Sequence, residues 1–514
     1  MAPASSLFLT LYGIAAFAVA LLYFRPRRQS FVESFPPGPK SPTMPTLDSW
    51  VQYQQWGREH GDLVYIRKHN TLIINHAHVA IDLLEKHARI YSDRAMTEMM
   101  KLCGFNNILS LEQYSDKWRG NRKLFQQNFR QSASRRFYPA QYRKISQYLR
   151  DLTVAPEEFM QHTMSLSQSL IYSSLYGLDI GFDDPLSKKA IEAVALIGRA
   201  ILEPFPAIEL FPWLRFMPSW FPGCGFQQIA NKCAQYCREV DNIPFDKAIS
   251  NLASAGTSLI AELALENEGK PVEIKKIKAM GTVSFLAASD TTMASISSFL
   301  LAMIQNPDVQ SKAQAEIDHV IGRDRLPTLE DRRSLPYVES VYREVMRMHP
   351  PLPLSSRYFL TFCIGHFHVS IEDDFYRGYH IPKGCKNFWP SVWSIFRAMG
   401  RDPNVYSEPD KFMPERFLDS PNGPFTSIND IHAFGFGRRV CVGRYMADNT
   451  VWLAIASVLA TLDLHNAKDN EGNEIDIPGE YTEIFFRHPK PYQSSITPRD
   501  LQARDLILAT GMVD

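Results

Sequence analysis

Apolar residues recur at helical spacing along most of the chain. The longest such stretch covers about 272–306, where Ile274, Ile277, Val283, Leu286, Ile296, Leu300 and Met303 fall on shared faces. "QNPDV" (305–309) ends it, because proline lacks the backbone donor and clashes with the turn before it. The pattern predicts a further helix at 335–351, "LPYVESVYREVMRMHPP", stopped by its own proline pair, and a last one at 443–462. Stretch 116–132 is basic and helical in type, and 189–204 and 225–264 continue in the same way. "FPWLRFMPSWFPGCG" (211–225) is an aromatic, proline-punctuated connection. Short apolar runs between 46 and about 90, "DLVYIRK" and "TLIINH", predict strands. No fixed-period repeat and no composition shift divides the chain beyond residue 40, so 46–514 is expected to be one large, mostly helical domain.

The first forty residues differ. "LFLTLYGIAAFAVALLYF" (7–24) carries no charge and is followed at once by "RPRR" (25–28). Eighteen apolar residues reach the lower limit for spanning a bilayer. Basic residues flanking a span stay in the cytosol, which places the N-terminus in the lumen and the rest in the cytosol. A cleaved signal peptide would want a basic start and a small-residue cleavage site, and neither is present. Residues 1–28 are therefore expected to be a membrane anchor with its basic flank, and 29–45, containing "FPPGPK", a proline-stiffened hinge.

Charge and cysteine content narrow the function. Lys and Arg number 55, as do Asp and Glu, and this balance argues against a nucleic-acid binder. Seven cysteines in 514 residues are too sparse for a disulfide scaffold. One stands apart: Cys441 in "AFGFGRRVCVG" (433–443), among glycines and arginines and just before a helix. Amides beside glycines approach a thiolate closely, and a helix N-terminus favours an anion. In isolation, a buried free thiol beside a glycine turn is the commoner fate of such a residue.

Phe434, Gly437, Arg439, Cys441 and Gly443 match at every fixed position the haem-binding loop of the cytochrome P450 family. Three further motifs, in the expected order, carry the resemblance along the chain. In "EVMR", Glu344 and Arg347 share a helical face, and the resemblance adds Arg416 of "FMPERF" (412–417) as third member of a buried cluster that holds the cysteine loop. In "AASDTT" (287–292) it makes Thr291 the residue that steadies oxygen and Asp290 a proton relay, with Ala288 where the family usually has Gly. In "WRGNR" (118–122), Trp118 and Arg122 resemble a pair that contacts a haem propionate, as do Arg439 and Arg357, the latter in "PPLPLSSR" (350–357).

The resemblance thus implies a mainly α fold with small β-sheets, tethered by one membrane helix and carrying haem b. Cys441 would be the axial iron ligand, with Phe434 beside it in the loop. It further implies an NADPH-cytochrome P450 reductase as electron donor and insertion of one oxygen atom from O2 into an apolar small molecule. The endoplasmic reticulum membrane is the expected location, with the catalytic domain cytosolic and no nucleic-acid partner. The pattern, including the closing "FFRHPKPYQ", is similar to fungal, basidiomycete-type members of secondary metabolism or xenobiotic oxidation. Two alternatives remain: an isomerase or dehydratase of the same family, which usually lacks the acid–threonine pair, and a non-catalytic haem-binding protein.

Other signals carry less. Cys233 and Cys237 share a helical face without further zinc ligands nearby, and the histidines of "GHFH" (365–368) lack partners for a metal site. Phe485 and Phe486 are expected in hairpin packing. Lys117, Arg119, Lys123, Arg438 and Arg444 form a basic patch suited to an acidic electron donor. "YFLTFCIGHFHVSI" (358–371) departs from the family, and 385–403 is longer than expected. Stretch 358–371 is either a genuine insertion near the pocket or translated intron; an insertion puts the placement of Arg357 in doubt and would leave the non-catalytic reading open.

Overall fold

The apolar run of 272–306 is the axis on which the chain is built. The computed structural model describes residues 34–40, 49–203, 205–251, 258–352, 368–384, 391–394, 396–420, 423–482 and 486–510. The proposed anchor, Arg357 and most of 358–371 lie outside these residues, as does Phe485.

The principal helices are α1 (Ser49–His60), α2 (Asp116–Phe129), α3 (Tyr138–Val154), α4 (Phe159–Ile171), α5 (Pro185–Leu202), α6 (Phe226–Ser250), α7 (Leu259–Glu266), α8 (Pro271–Gln305), α9 (Pro307–Val320), α10 (Pro336–Met348), α11 (Arg444–Thr461) and α12 (Leu501–Ala509). The expected helices fall within one to four residues of these bounds, except that 225–264 is two helices, α6 and α7. Proline opens α5, α8, α9 and α10, where its missing donor has no partner to lose.

The strands are β1 (Leu63–Ile66), β2 (Thr71–Ile74), β3 (His368–Val369), β4 (Asp374–Tyr376), β5 (Tyr379–Ile381), β6 (Ser391–Ser394), β7 (Leu462–Asn466) and β8 (Ser494–Pro498). Four form a sheet in the order β1-β2-β6-β3, in which β2 and β6 run parallel. Two hairpin-like pairs, β4–β5 and β7–β8, stand apart from it. The end of the departing stretch is built into this sheet: His368 is buried with its ring Nδ1 2.6 Å from the Tyr91 carbonyl oxygen, and the Val369 amide donates to Asp93 at 3.1 Å.

Helix α8 serves two cores. Its C-terminal half, Ile296 to Ile304, packs with α3, α4, α9, α10 and α11. Its N-terminal half, through Ile277, Met280, Val283 and Phe285, packs with α2, α7 and Tyr172. The apolar window of α8 meets the length and hydropathy of a membrane span, but 72% of it is buried inside the protein, so it is a core helix. Between the two cores, at Ala287, the helix opens to solvent, and this gap positions the site.

Candidate active site

The cysteine loop enters through a tight turn, Gly437–Arg439, after the buried ring of Phe436. Gly437 has φ +59, and a Cβ there would overlap the Leu84 carbonyl oxygen, so no other residue fits. The Cys441 amide donates to the Phe434 carbonyl at 2.8 Å, closing the loop, while the partly buried Phe434 side chain packs on the larger core. Helix α11 starts at Arg444, whose guanidinium donates to the Cys441 carbonyl at 3.0 Å.

Cys441 is the exposed one among the free cysteines described, while Cys103, Cys224 and Cys233 are buried and Cys237 is half-buried. The residue is exposed as a whole, while its thiol is crowded by protein. That crowding raises its thiol pKa, and the Gly443 amide, Arg122 and Arg444 pull it back down. A single thiol so placed, beside an amide and within the charge of two arginines, suits a metal ligand better than a disulfide.

Three arginines gather beside the loop, and among the described residues no carboxylate forms an ion pair with them; Asp93 and Glu112 act only at longer range. Arg122 on α2 donates to the Val440 carbonyl, and its Nε is buried without a partner. Arg439 donates to the carbonyls of Ser92, Leu109 and Glu112 at 2.8, 3.1 and 2.8 Å, and its guanidinium lies 4.2 Å from the Trp118 ring centre. Arg94 donates to the Ser110 carbonyl at 3.2 Å and leaves Nη1 buried and unpartnered. Burial depresses Arg122 to about 10 and Arg439 to about 9, and pushes Arg94 well below the usual guanidinium range. A group bringing carboxylates would offset this cost and meet the free N–H groups. Haem b, with two propionates and an iron for the thiol, fits these residues.

The Trp118 indole N–H donates to the Leu109 carbonyl at 3.2 Å, and its ring face lies against the Arg439 guanidinium. Arg94 was missed by sequence reasoning. It sits in no motif, and the one hint was the neighbouring Asp93, whose charge acts on it at longer range.

Glu344, Arg347 and Arg416 come together in the structure. Arg347 meets Glu344 in a two-pronged pair, Nε–Oε2 2.7 Å and Nη2–Oε1 2.8 Å, and both side chains are buried. Arg416 joins Glu344 Oε1 at 3.2 Å, and the Met413 amide donates to the same oxygen at 2.7 Å. The remaining arginine donors reach the carbonyls of Gly400, Ser407, Glu408, Pro409 and Lys411. Gly400 is fixed by contact, since a Cβ there would overlap the Arg347 carbonyl oxygen. A second ionic junction escaped the sequence reading: Arg332 pairs with Glu339 at 2.7 Å and with Asp448 at 2.6 Å, tying α10 to the helix that follows the cysteine.

Across the gap in α8, the Thr291 hydroxyl donates to the Ala287 carbonyl one turn earlier at 2.7 Å. Burial pushes the Asp290 carboxyl up to about 6, and no cation pairs with it among the described residues. Ala288 and Val442 pack against the same apolar cluster, which brings this part of α8 and the cysteine loop to one region.

Comparison with known proteins agrees. The cytochrome P450 family model matches residues 47–496. Cytochrome P450 monooxygenase 176 of Postia placenta is 35% identical over 500 residues, covering 92% of each chain. Cytochrome P450 monooxygenase COX1 of Coprinopsis cinerea is 34% identical, covering 89% of this chain and 90% of its own. The tryptamine 4-monooxygenase of Psilocybe cyanescens is 31% identical over 93% of this chain and 96% of its own. Among solved structures, a zebra fish cytochrome P450 determined with progesterone superposes with TM-score 0.69 at 21% identity, covering 88% of this chain and all of that one. With the family match spanning most of its length and a thiol–arginine site suited to haem b, this chain belongs to the cytochrome P450 family, as a haem-thiolate monooxygenase that incorporates oxygen from O2.

Proposed function

We propose that this monooxygenase oxygenates an apolar small molecule of secondary or xenobiotic metabolism, with electrons from NADPH delivered by a membrane-bound P450 reductase. The observation that carries the reading is the exposed residue Cys441 beside arginines of which two, Arg94 and Arg122, keep a buried nitrogen without a partner. Cys441 would hold the iron, with Arg94, Arg122 and Arg439 at the propionates and Phe434 shaping the loop. When bound, haem b supplies dioxygen activation and oxygen transfer, which thiolate ligation favours. Asp290 would carry the proton this chemistry consumes: a carboxyl at about 6 can both hold and release one near neutral pH. Thr291, the next residue, donates its own proton to Ala287, which leaves its oxygen able to accept from a neighbour. Trp118 and the Glu344–Arg347–Arg416 cluster would act by positioning. Retention of the Asp290–Thr291 pair favours oxygenation over isomerisation or dehydration.

The basic surface of Lys117, Arg119, Lys123 and Arg438 is exposed and supports docking of an acidic electron donor. We take residues 1–28 as the anchor, 29–45 as the hinge and 46–514 as the catalytic domain, on the cytosolic side of the endoplasmic reticulum membrane. The connection between α5 and α6 supports a membrane-facing placement, since Leu210, Phe211, Trp213, Phe216 and Trp220 are all exposed there.

The test is a carbon monoxide difference spectrum of reduced protein from microsomes, beside Cys441→Ser. The native protein is expected to show the thiolate-ligated band and the variant to lose it. An identical band and haem content in both would overturn the assignment. NADPH consumption with a reductase and a panel of terpenoid, polycyclic aromatic and steroid substrates then reads the activity.

A further inference from the structure

A sulfur-rich cluster lies away from the catalytic thiol. Met96, Met99, Met100, Cys103 and Phe105, from the segment before α2, bury against Cys224, Phe226, Ala230 and Cys233 of the connection and helix α6. Cys103 and Cys233 are buried in this one cluster, and Cys237 packs against it. Cys103 and Cys233 have no exposed surface, and Cys237 is half-buried. Two polar ties hold the same contact. Glu209 accepts the amides of Glu98 and Met99 at 3.2 and 3.1 Å, and Arg215 pairs with Glu98 at 3.3 Å. The other end of this segment provides the Leu109, Ser110 and Glu112 carbonyls that hold Arg439 and Arg94. One stretch of fifteen or so residues therefore touches the thiols at one end and the site's arginines at the other.

We propose that Cys103 and Cys233 are a redox clasp, which on oxidation by a low-molecular-weight disulfide locks the 96–112 segment onto α6 and slows exchange at the active site. In the first step one cysteine thiolate attacks the small disulfide, forming a mixed disulfide and releasing one small thiol. In the second the other cysteine attacks that sulfur, forming the Cys103–Cys233 bond and releasing the second small thiol. Two electrons pass from the protein to the small disulfide, and two protons end on the released thiols. Closed, the clasp is unreactive, because neither sulfur is reachable; the contact to Cys103, and then burial, also hold the Cys233 thiol well above its usual range. Oxidation thus requires the segment to lift first, so the clasp records how often the site opens. Cys237 shares a helix with Cys233, so a bond between those two would join nothing. The effect on exchange rests on the haem site proposed above; the cross-link itself does not.

The experiment equilibrates the full-length haem protein in glutathione buffers of rising disulfide fraction. Peptide mass spectrometry reads the cross-link, and imidazole binding, followed by absorbance, reads exchange. Expected are a Cys103–Cys233 linked peptide, reversed by dithiothreitol, and imidazole association slower by about tenfold in the oxidised protein. Cys103→Ser should abolish both, while Cys237→Ser should keep both. The proposal is overturned if Cys233 pairs only with Cys237, if no cross-link forms, or if the linked protein exchanges imidazole at the reduced rate. A linked peptide in material lacking the thiolate-ligated spectrum would locate the failure in the haem reading instead.

Discussion

Two groups of buried arginines flank the cysteine loop, and they are finished differently. Around Glu344, the chain supplies the partners: one carboxylate shared by Arg347, in a two-pronged pair, and Arg416, with backbone carbonyls for the remaining donors. Around Cys441, Arg94 and Arg122 are buried and Arg439 is half-buried, yet among the described residues they meet only carbonyls and an indole ring, and two of them leave nitrogens without partners. Burial of a charge is costly unless it is paired. The closed cluster is therefore a piece of scaffold, complete within the chain. The open one is incomplete without a dianionic ligand, and this difference separates a structural arginine from a binding one.

The largest effect should come from cutting the closed cluster. Glu344→Ala strands two buried guanidiniums and is expected to cost about 3–5 kcal/mol, read by chemical denaturation of the haem-free chain. Arg122→Met should behave in the opposite sense, leaving the haem-free chain as stable or more so while weakening haem retention by about 1–3 kcal/mol, measured as haem transfer to an acceptor globin. If Arg122→Met destabilises the haem-free chain as severely as Glu344→Ala does, the two clusters are alike and the comparison breaks.

Asp290 gives the smallest and most specific effect. Its carboxyl is pushed up in the folded chain from the ordinary 3.8 to about 6. The folded state therefore binds the proton more tightly, so stability is greatest below pH 4 and falls as pH rises toward 6, staying lower above. Asp290→Asn should remove that fall, on the order of 2 kcal/mol after allowance for partial exposure, in denaturation followed from pH 4 to 7. The same variant should lower the share of NADPH electrons that reach product. An unchanged pH slope would show that Asp290 is solvated in the folded chain and unsuited to proton transfer.

What could be read from the residues beforehand follows from the range of the interaction. Glu344 and Arg347 are one helical turn apart, so their pairing is written in local spacing, and Pro271, Pro307 and Pro336 mark helix starts by backbone chemistry alone. Cys441 was legible because a glycine with φ +59 and a helix start flank it within a few residues. Arg94 was not legible: its burial depends on Ser110 and on Arg439, which lies hundreds of residues away in the chain. Cys233 and Cys237 could be paired by spacing, but nothing local brings Cys103 to them. Trp118 could be placed on one helical face with Arg122 by spacing, but the Leu109 carbonyl that its N–H meets lies outside that motif.

Helix α8 runs unbroken through both cores and meets water between them at Ala287. A rod gripped at both ends cannot tilt at one without dragging the other. Denaturation should therefore be concerted across the two halves, and loosening the packing at one end would be felt at the other, far from anything altered.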